Sequence, residues 1–469
     1  MTPILLLEIN EIPWRLIDRY GDQHRFPNIS RFLKQAHQFT TVAVDTGELS
    51  PWVTWPTLHR GMNNERHGIK NLGQDPATFR GKPVWQEIRE QGGSIAICGS
   101  MQSWPPIDPG ENGFYVPDTF AHDERCYPSY LDPLQAFNLS QVRMNARVVS
   151  SALPGAGETI RAASSFVKSG ITVGTCARIA GQLLGERLDA SRAARRPIFQ
   201  TILFWDVFRK HFSARRPPAF STFFTNHVAG VMHRYWDDVF PEDFPERKQA
   251  AGDSNEPLMR FALQVLDDML AEVIEWAADN PELVVILASS MGQDAVHRRS
   301  HEGVELVVED LALLMSHTGI SREDYRPLLA MVPQIAVEIR DGDKRARARR
   351  VLESAFCGDA RQFIGVQEMG SSLSITVNTP TLGQMSGDNF FINGAAVTWR
   401  DAGIRRQDIE PGTGYHIPEG SLAVLCEQMR GEPLIQSRSR VNADRIKDWM
   451  LAVSRDGSRA IPSLASACL

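Results

Sequence analysis

The sequence lacks an excess of positive charge and lacks closely spaced cysteines. Its 469 residues include 50 lysines and arginines against 56 aspartates and glutamates, which gives a net charge of −6. A protein that binds nucleic-acid polymers through their phosphates needs concentrated positive charge, so we expect no such partner. The 6 cysteines are scattered and form no C-x-x-C pair, which is typical of reduced thiols in a cytoplasmic protein.

Long apolar runs and common phosphate-binding loops are also missing. The first apolar run has no basic leader and is too short for a signal peptide. The longest weakly polar stretch, 165–185, contains Lys168 and Arg178, so we expect no membrane span. Neither a G-x-x-x-x-G-K-[ST] loop nor a G-x-G-x-x-G turn occurs, which disfavours phosphate-loop NTPases and simple dinucleotide-binding folds. The sequence therefore predicts a cytoplasmic globular protein.

Short apolar runs separated by helical patterns are present along most of the chain. Five of them indicate buried parallel strands, namely Ile4–Ile9, Ser94–Cys98, Ser221–Thr225, Leu283–Ala288 and Leu373–Val377. From Pro257 to about Asn280 apolar residues recur at three- and four-residue spacing, as in an amphipathic helix. The alternation predicts an α/β fold, a three-layer αβα sandwich with a mainly parallel central sheet. Ligands are expected beyond the carboxyl ends of the strands.

Residues 121–214 differ from the rest, with helical stretches, clustered arginines and few strand patterns. We predict that this segment is an inserted, mainly helical cap. The α/β core then comprises residues 1–120 and 215–440, and residues 441–469 form a C-terminal helix and tail.

Two polar residues, Asn10 and Glu11, come directly after the first predicted strand. At the edge of a sheet their amide and carboxylate oxygens would face a cleft and could bind a cation. The alternative is that they only cap a helix beginning near Pro13. Both interpretations remain open at this point.

Two hydroxyl residues lie in a segment rich in tryptophan and proline, 48–61. A hydroxyl at a helix N-terminus is close to exposed backbone N–H groups that can bind a phosphoryl oxygen. Ser50 precedes Pro51, which is the plain form of a helix cap. Thr54 lies between two tryptophans and is the stronger candidate for a cleft hydroxyl.

Histidines occur in two further segments, one after a strand pattern and one in a turn before an apolar run. Asn226, His227 and His233 come after the third predicted strand, and His416 lies in the glycine-rich turn 412–420. Neutral imidazole is the commonest metal ligand. Two histidines six residues apart converge when a first helical turn lies between them, so these side chains are candidate ligands; a structural role is the alternative for each.

The order of these segments resembles the alkaline phosphatase superfamily, most closely its type I phosphodiesterase/nucleotide pyrophosphatase branch. In that family an Asp-Gly metal motif is followed by Pro-Asn, Thr-x-Pro, Thr-Gly, His-Gly-Ile, Asp…His, Ser-Asp-His-Gly-Met and Gly-x-His-x-Pro-x-Gly. The similar stretches here are Pro27-Asn28, Thr54-Trp55-Pro56, Gly61, His67-Gly68-Ile69, Asn226…His233, Ser289-Ser290-Met291-Gly292 and Gly414–Gly420. The resemblance covers most of the chain outside the predicted cap. It implies a phosphoester hydrolase with a hydroxyl nucleophile at a helix N-terminus and two divalent metals, generally zinc.

Several metal-ligand positions depart from the family pattern. Asn10 and Asn226 stand where the family has aspartates, and Ser290-Met291 replace an Asp-His pair. Neutral amides supply less charge than carboxylates, and methionine is a poor ligand for zinc. The resemblance therefore implies at most one divalent metal, zinc or manganese. Its candidate ligands are Asn10, Glu11, Asn226, His233 and His416.

On this interpretation Thr54 is the nucleophile, His227 or Glu11 handles the proton, and the substrate is a small anionic phosphodiester or phosphomonoester. The interval from Thr54 to Gly61 is shorter than in the family, which leaves Ser50 as the alternative nucleophile. Two other functions also remain open. One is a catalytically lapsed family member that binds an anionic ligand or acts as an accessory protein, and the other is a phosphoryl-group transferase.

Overall fold

The structure, a computed structural model, describes most of the chain. The described residues are 1–21, 24–145, 166–247, 254–297, 304–331, 333–357, 360–361, 363–378, 389–408 and 412–466. Residues 146–165 of the predicted cap and 467–469 of the predicted tail lie outside the described residues.

Strands and helices alternate over the first half of the chain, and strands dominate the second half. The strands are β1 (Ile4–Ile9), β2 (His37–Val42), β3 (Ile95–Cys98), β4 (Phe114–Val116), β5 (Phe220–Thr225), β6 (Val284–Ala288), β7 (Gly292–Ala295), β8 (Val304–Val308), β9 (Arg326–Leu328), β10 (Gln334–Glu338), β11 (Phe356–Cys357), β12 (Ala360–Arg361), β13 (Ile364–Met369), β14 (Ser372–Val377), β15 (Asn389–Ile392), β16 (Ala395–Thr398), β17 (Ile404–Asp408), β18 (Gly414–Ile417), β19 (Glu419–Cys426) and β20 (Ser439–Asn442). The α-helices are α1 (Trp14–Tyr20), α2 (Pro27–Gln35), α3 (Pro51–Arg60), α4 (Asn64–His67), α5 (Val84–Glu90), α6 (Asp132–Asn145), α7 (Val173–Leu188), α8 (Arg196–His211), α9 (His227–Val239), α10 (Glu256–Asp279), α11 (Leu311–Ser316), α12 (Gly342–Glu353), α13 (Ala443–Asp456) and α14 (Ser463–Ser466).

The central sheet has eight strands in the order β20-β2-β19-β6-β1-β5-β3-β4. Strand β1 pairs in parallel with both β5 and β6, and β3 continues the parallel arrangement. Only β19 runs antiparallel to its two neighbours. The predicted α/β class with a mainly parallel sheet is confirmed.

Two hydrophobic clusters lie on opposite faces of this sheet. Because successive side chains of a strand point to opposite faces, Leu5 and Leu7 of β1 join one cluster and Ile4 and Leu6 join the other. Helices α2, α8, α9 and α10 cover the first face, and α3, α5 and α13 cover the second. This arrangement forms the three layers expected from the sequence.

The fifth predicted strand lies elsewhere than expected. The run at residues 373–377 falls within β14, which belongs to a separate antiparallel sheet of order β13-β14-β10-β9. Its residues Leu373 and Ile375 pack in a third hydrophobic cluster formed by residues 306–404. A fully buried apolar run looks the same in a parallel and in an antiparallel sheet. The sequence therefore does not separate this β-rich unit from the rest of the predicted core range 215–440.

Helices occupy most of the described part of residues 121–214, and the cap assignment stays a prediction. Helix α8 packs on the central sheet, where Thr201 and Thr225 of β5 share a hydroxyl–hydroxyl hydrogen bond of 2.7 Å. Within the described part of the chain, no helix combines the length and apolar character needed to cross a membrane.

Candidate active site

The carboxyl ends of three adjacent strands meet at one edge of the central sheet. Asn10 and Glu11 follow β1, Asn226 follows β5, and Ser290 lies two residues after β6. The backbone N–H of Asn10 donates to the carbonyl of Thr225 over 3.0 Å. The residues that follow β1 and β5 therefore lie side by side. Residues far apart in sequence therefore share one edge, as the parallel topology requires.

Glu11 is the buried carboxylate of this edge, and its two oxygens have different partners. Oε1 accepts from Asn10 Nδ2 at 2.7 Å. Oε2 lies 2.9 Å from His233 Nε2 and 3.4 Å from His416 Nε2, and it also accepts from Gln293 Nε2. The backbone of Glu11 has φ 61°, a left-handed conformation rare outside glycine. Such strain is found where the surrounding structure fixes a functional side chain.

Both imidazoles are oriented from behind by backbone carbonyls. His233 Nδ1 lies 3.0 Å from the carbonyl oxygen of Gly414, and His416 Nδ1 lies 2.7 Å from that of Leu49. A carbonyl only accepts, so each Nδ1 carries a proton and each Nε2 points toward Glu11. Each Nε2 is then either protonated, which makes an ion pair, or a lone-pair donor to a cation shared with Glu11. Carbonyl contacts of this kind typically orient metal-binding histidines.

The charge balance at Glu11 favours its anionic form. Burial alone would raise the pKa of Glu11, but the charges and hydrogen bonds of His233 and His416 outweigh it and hold the pKa far below the ordinary carboxyl value. The carboxylate therefore stays negative over the whole physiological pH range.

The donor set fits a divalent metal. The ligand atoms of Glu11, His233 and His416 all lie within 4.8 Å of one another. Among the described residues, no other group of three His, Cys, Asp or Glu side chains is gathered in this way. One carboxylate and two imidazoles form the three-ligand set of catalytic zinc sites, which leave a fourth position open. His233 is 31% exposed, which gives a ligand access from solvent.

The other half of the edge is neutral. Asn10 Nδ2 donates to Asn226 Oδ1 at 2.7 Å, and Asn10 Oδ1 accepts from Trp55 Nε1 at 2.8 Å. Asn10 and Asn226 thus lie in contact at this edge of the sheet. Asn10 uses these groups to hold Glu11, Asn226 and Trp55, so it supports the candidate metal ligands from the side.

Helix α3 positions the candidate hydroxyls, and it differs from the expectation for Thr54. Ser50 is the N-cap residue, while Thr54 lies one turn further on and its N–H donates to the Ser50 carbonyl at 2.9 Å. Thr54 is therefore not at the helix N-terminus, because Pro51 starts the helix. Its buried hydroxyl is hydrogen-bonded to Ser290 Oγ at 2.7 Å. Ser50 makes no side-chain cap bond and is 9% exposed.

Two polar contacts fix α3 against β1. Trp55 donates to Asn10, and one turn later His59 Nε2 lies 2.8 Å from Oε1 of the buried Glu8. Residues four apart on a helix and two apart on a strand share a face, so the spacing of these pairs sets the register of α3. The start of the helix is thereby held beside Leu49, whose carbonyl binds His416.

The structure does not bring His227 to the other candidates. Its Nδ1 is 2.7 Å from Thr225 Oγ1, and its Nε2 is 3.0 Å from the carbonyl oxygen of Ala262 in α10. Burial lowers the pKa of His227 to about 4. Nδ1 thus contacts the end of β5 and Nε2 helps to pack α9 on α10, because the side chain turns away from the edge.

Two other stretches that carried the family resemblance have internal partners. Asn28 at the start of α2 bonds through its backbone and side chain to Asp267 of α10. His67 is buried, with Nε2 3.0 Å from Thr57 Oγ1, and burial lowers its pKa to about 3. These contacts are structural ones behind the site.

Sequence reasoning missed Gln293 and the role of Gly414. Gln293 donates to Glu11 Oε2 and to the Ala229 carbonyl, but nothing in the sequence pattern distinguishes it. A Cβ at Gly414 would lie 2.5 Å from the Met232 carbonyl oxygen, so only glycine lets this strand approach α9 closely enough to bind His233.

The fold and the site together define an α/β protein with a Glu-His-His cluster at the carboxyl edge of its sheet. No protein-family model and no curated protein matches the chain. Similar solved structures include murine ectonucleotide pyrophosphatase/phosphodiesterase 5, with 9% identity, a TM-score of 0.40 and coverage of 97% of this chain and 95% of that one. Another is phosphonoacetate hydrolase from Sinorhizobium meliloti in complex with phosphonoformate, with 12% identity, a TM-score of 0.44 and coverage of 97% and 96%. The likeness assigns no residue a role.

Proposed function

We propose that the protein is a phosphoester hydrolase that uses at most one divalent metal, zinc or manganese. The observation that carries the proposal is the convergence of Glu11, His233 and His416 beside the start of α3. His416 connects the cluster to the start of α3. Its Nε2 faces Glu11, and its Nδ1 binds the carbonyl of Leu49, the residue before Ser50. A cation site and a helix N-terminus are thus adjacent, and both favour an anionic substrate.

The geometry favours Ser50 over Thr54 as the nucleophile. The Ser50 hydroxyl is at the N-cap of α3, where the positive end of the helix dipole stabilises a developing alkoxide and a phosphoryl oxygen. The Thr54 hydroxyl is buried and shared with Ser290. Attack by Thr54 would require this hydrogen bond to break and the side chain to become accessible.

The remaining residues have supporting roles in this proposal. A bound divalent metal would polarise the phosphoryl oxygen and lower the pKa of the attacking hydroxyl. Glu11, His233 and His416 would hold it. Glu11 is a poor general base because its pKa is held so low. Asn10 orients Glu11, and His227 is not proposed for proton transfer since both of its nitrogens are engaged elsewhere.

A second function is favoured by the neutral half of the edge. Asn10, Asn226, Thr54 and Ser290 satisfy one another with hydrogen bonds and contribute no negative charge. A site of this kind could bind an anionic phosphoester without hydrolysing it. The binding-protein alternative and the transferase alternative use the same cleft, so substrate turnover distinguishes them.

The test measures hydrolysis of bis(p-nitrophenyl) phosphate and of p-nitrophenyl phosphate with zinc, with manganese and after chelation. The hydrolase proposal predicts metal-dependent release of p-nitrophenol that the Ser50→Ala variant loses. Release that appears only when glycerol or a sugar is added as an acceptor would indicate a transferase. Binding of phosphate esters without turnover under any metal condition would overturn the hydrolase proposal in favour of the binding protein.

A further inference from the structure

Helix α7 packs on the protein mainly through its polar side, with Ile179 as an apolar contact. Thr172, at its N-cap, donates to Asp206 of α8 through both its N–H, at 2.8 Å, and its hydroxyl, at 2.9 Å. Further along, Gln182 Nε2 donates to the Arg192 carbonyl at 2.6 Å, and Glu186 forms an ion pair with Arg196 at 2.7 Å. Polar side chains normally face solvent on a surface helix, so this orientation is the reverse of the usual one.

The opposite side of α7 is apolar and faces solvent. Val173 is 82% exposed, Leu184 61% and Leu188 91%, and Leu183 is also exposed. Ala177, Ala180 and Gly181 lie between them on the same side, since steps of three and four residues share a helix face. Monomeric soluble proteins rarely expose a continuous apolar surface of this kind unless it binds something.

The segment around this face is positively charged. Residues 166–196 contain six arginines or lysines and two acidic residues, although the whole chain has a net charge of −6. Arg178 and Arg187 of α7 are exposed and form no ion pair within the described part of the chain. Two copies of the segment would repel each other, whereas a negatively charged surface would attract it.

We propose that the apolar face of α7 docks on an anionic lipid surface. The three features match the requirements for a helix lying in a membrane interface, namely an exposed apolar stripe, basic residues beside it and a solvent-facing orientation. The leucines would enter the boundary between headgroups and acyl chains, while Arg178 and Arg187 would contact lipid phosphates. The helix lies on the surface and does not cross the membrane, in agreement with the absence of a membrane-spanning helix among the described residues.

The test is co-sedimentation of the full chain with vesicles. Vesicles of phosphatidylcholine alone are compared with equimolar phosphatidylcholine and phosphatidylglycerol, at low salt and at high salt. The proposal predicts binding to the anionic vesicles, weakened by salt, and a loss of at least about tenfold in the Leu184→Glu, Leu188→Glu double variant. Matched Leu313→Glu, Leu434→Glu substitutions, at exposed leucines outside the segment, should leave binding unchanged.

The outcomes separate lipid binding from the alternatives. Because Leu184 and Leu188 are exposed, the variant should unfold at the same urea concentration as the unmodified chain. If the unmodified chain binds neither kind of vesicle, the proposal is wrong. If the substitutions instead convert a dimer to a monomer in sedimentation velocity, α7 is a self-association surface. Equal binding of the variant and the unmodified chain to anionic vesicles would also overturn the assignment to α7.

Discussion

The two halves of the candidate site differ in charge although they lie on the same sheet edge. On one side Glu11 faces His233 and His416, and on the other side Asn10 bonds to Asn226 while Thr54 bonds to Ser290. The first half requires a proton or a cation to balance its buried carboxylate. The second half is already satisfied by neutral hydrogen bonds. Among the described residues, only the first half gathers three candidate ligands, which supports the proposal of a single cation.

Removing the Ser50 hydroxyl should have the largest effect on activity. We expect Ser50→Ala to lower kcat by at least about a thousandfold, because the nucleophile is lost while the metal ligands remain. In Thr54→Val the loss should stay within about tenfold, with a decrease of about 1–3 kcal/mol in the free energy of unfolding, since Ser290 loses its partner. Steady-state kinetics and urea unfolding check both. A thousandfold loss in Thr54→Val with Ser50→Ala active would return the nucleophile to Thr54.

The charged half is tested by Glu11→Gln, which keeps the shape of the side chain and removes its charge. We expect zinc affinity to fall by at least about a hundredfold, because a residue that binds the metal directly contributes more to affinity than the groups that orient it. Competition with a chromogenic chelator measures the affinity. Glu419→Gln, at a surface ion pair with Arg440 near the same edge, is the control and should bind zinc normally. Equal affinities in the two variants would remove Glu11 from the metal site.

The neutral half is tested by Asn10→Ala. Asn10 fixes Glu11 Oε1 and Trp55, so its loss should weaken zinc binding about tenfold, as for other residues that orient a ligand. The exposed Asn226 contacts only Asn10 in this network, and Asn226→Ala should have a smaller effect. If Asn10→Ala weakens zinc as much as Glu11→Gln does, Asn10 is itself a ligand and the two halves are not distinct.

The smallest effect on activity is expected for His67, which lies behind the neutral half. The unfolded chain protonates this histidine near its ordinary pKa of 6.5, but burial and then the charge of Arg60 lower the folded pKa to about 3. The unfolded state therefore binds the proton first, and stability falls as the pH drops below about 6.5. His67→Gln should remove roughly 2–3 kcal/mol of this loss between pH 7 and pH 4.5, measured by urea unfolding. An unchanged pH dependence would mean that His67 is protonated in the folded protein.

The sequence predicted which residues lie at the sheet edge better than it predicted the contacts they make there. Asn10, Glu11, Asn226, His233 and His416 were all placed near one another, because parallel strands deliver their following residues to one edge. Thr54 lies one turn inside α3 and not at the helix N-terminus as predicted. Pro51 starts the helix, so Ser50 is the N-cap residue. That difference depends on where a helix begins, which is the least certain feature of a sequence pattern.

Other parts of the site required coordinates. The direction of the His227 ring is set by Thr225 and Ala262, and the latter lies in a helix 35 residues away. His233 and His416 are oriented by the backbone carbonyls of Gly414 and Leu49. A backbone contact of this kind leaves no pattern of side chains in the sequence. The third hydrophobic cluster was also missed, because an apolar run such as that of β14 does not reveal which sheet it joins.

The central claim is that Glu11, His233 and His416 hold a single divalent metal. Its most direct test is elemental analysis of the purified protein after incubation with zinc and removal of excess metal, alongside a His233→Ala, His416→Ala variant. We predict no more than one equivalent of zinc in the unmodified chain and almost none in the variant. Two equivalents in the unmodified chain, or equal zinc content in both proteins, would contradict the claim.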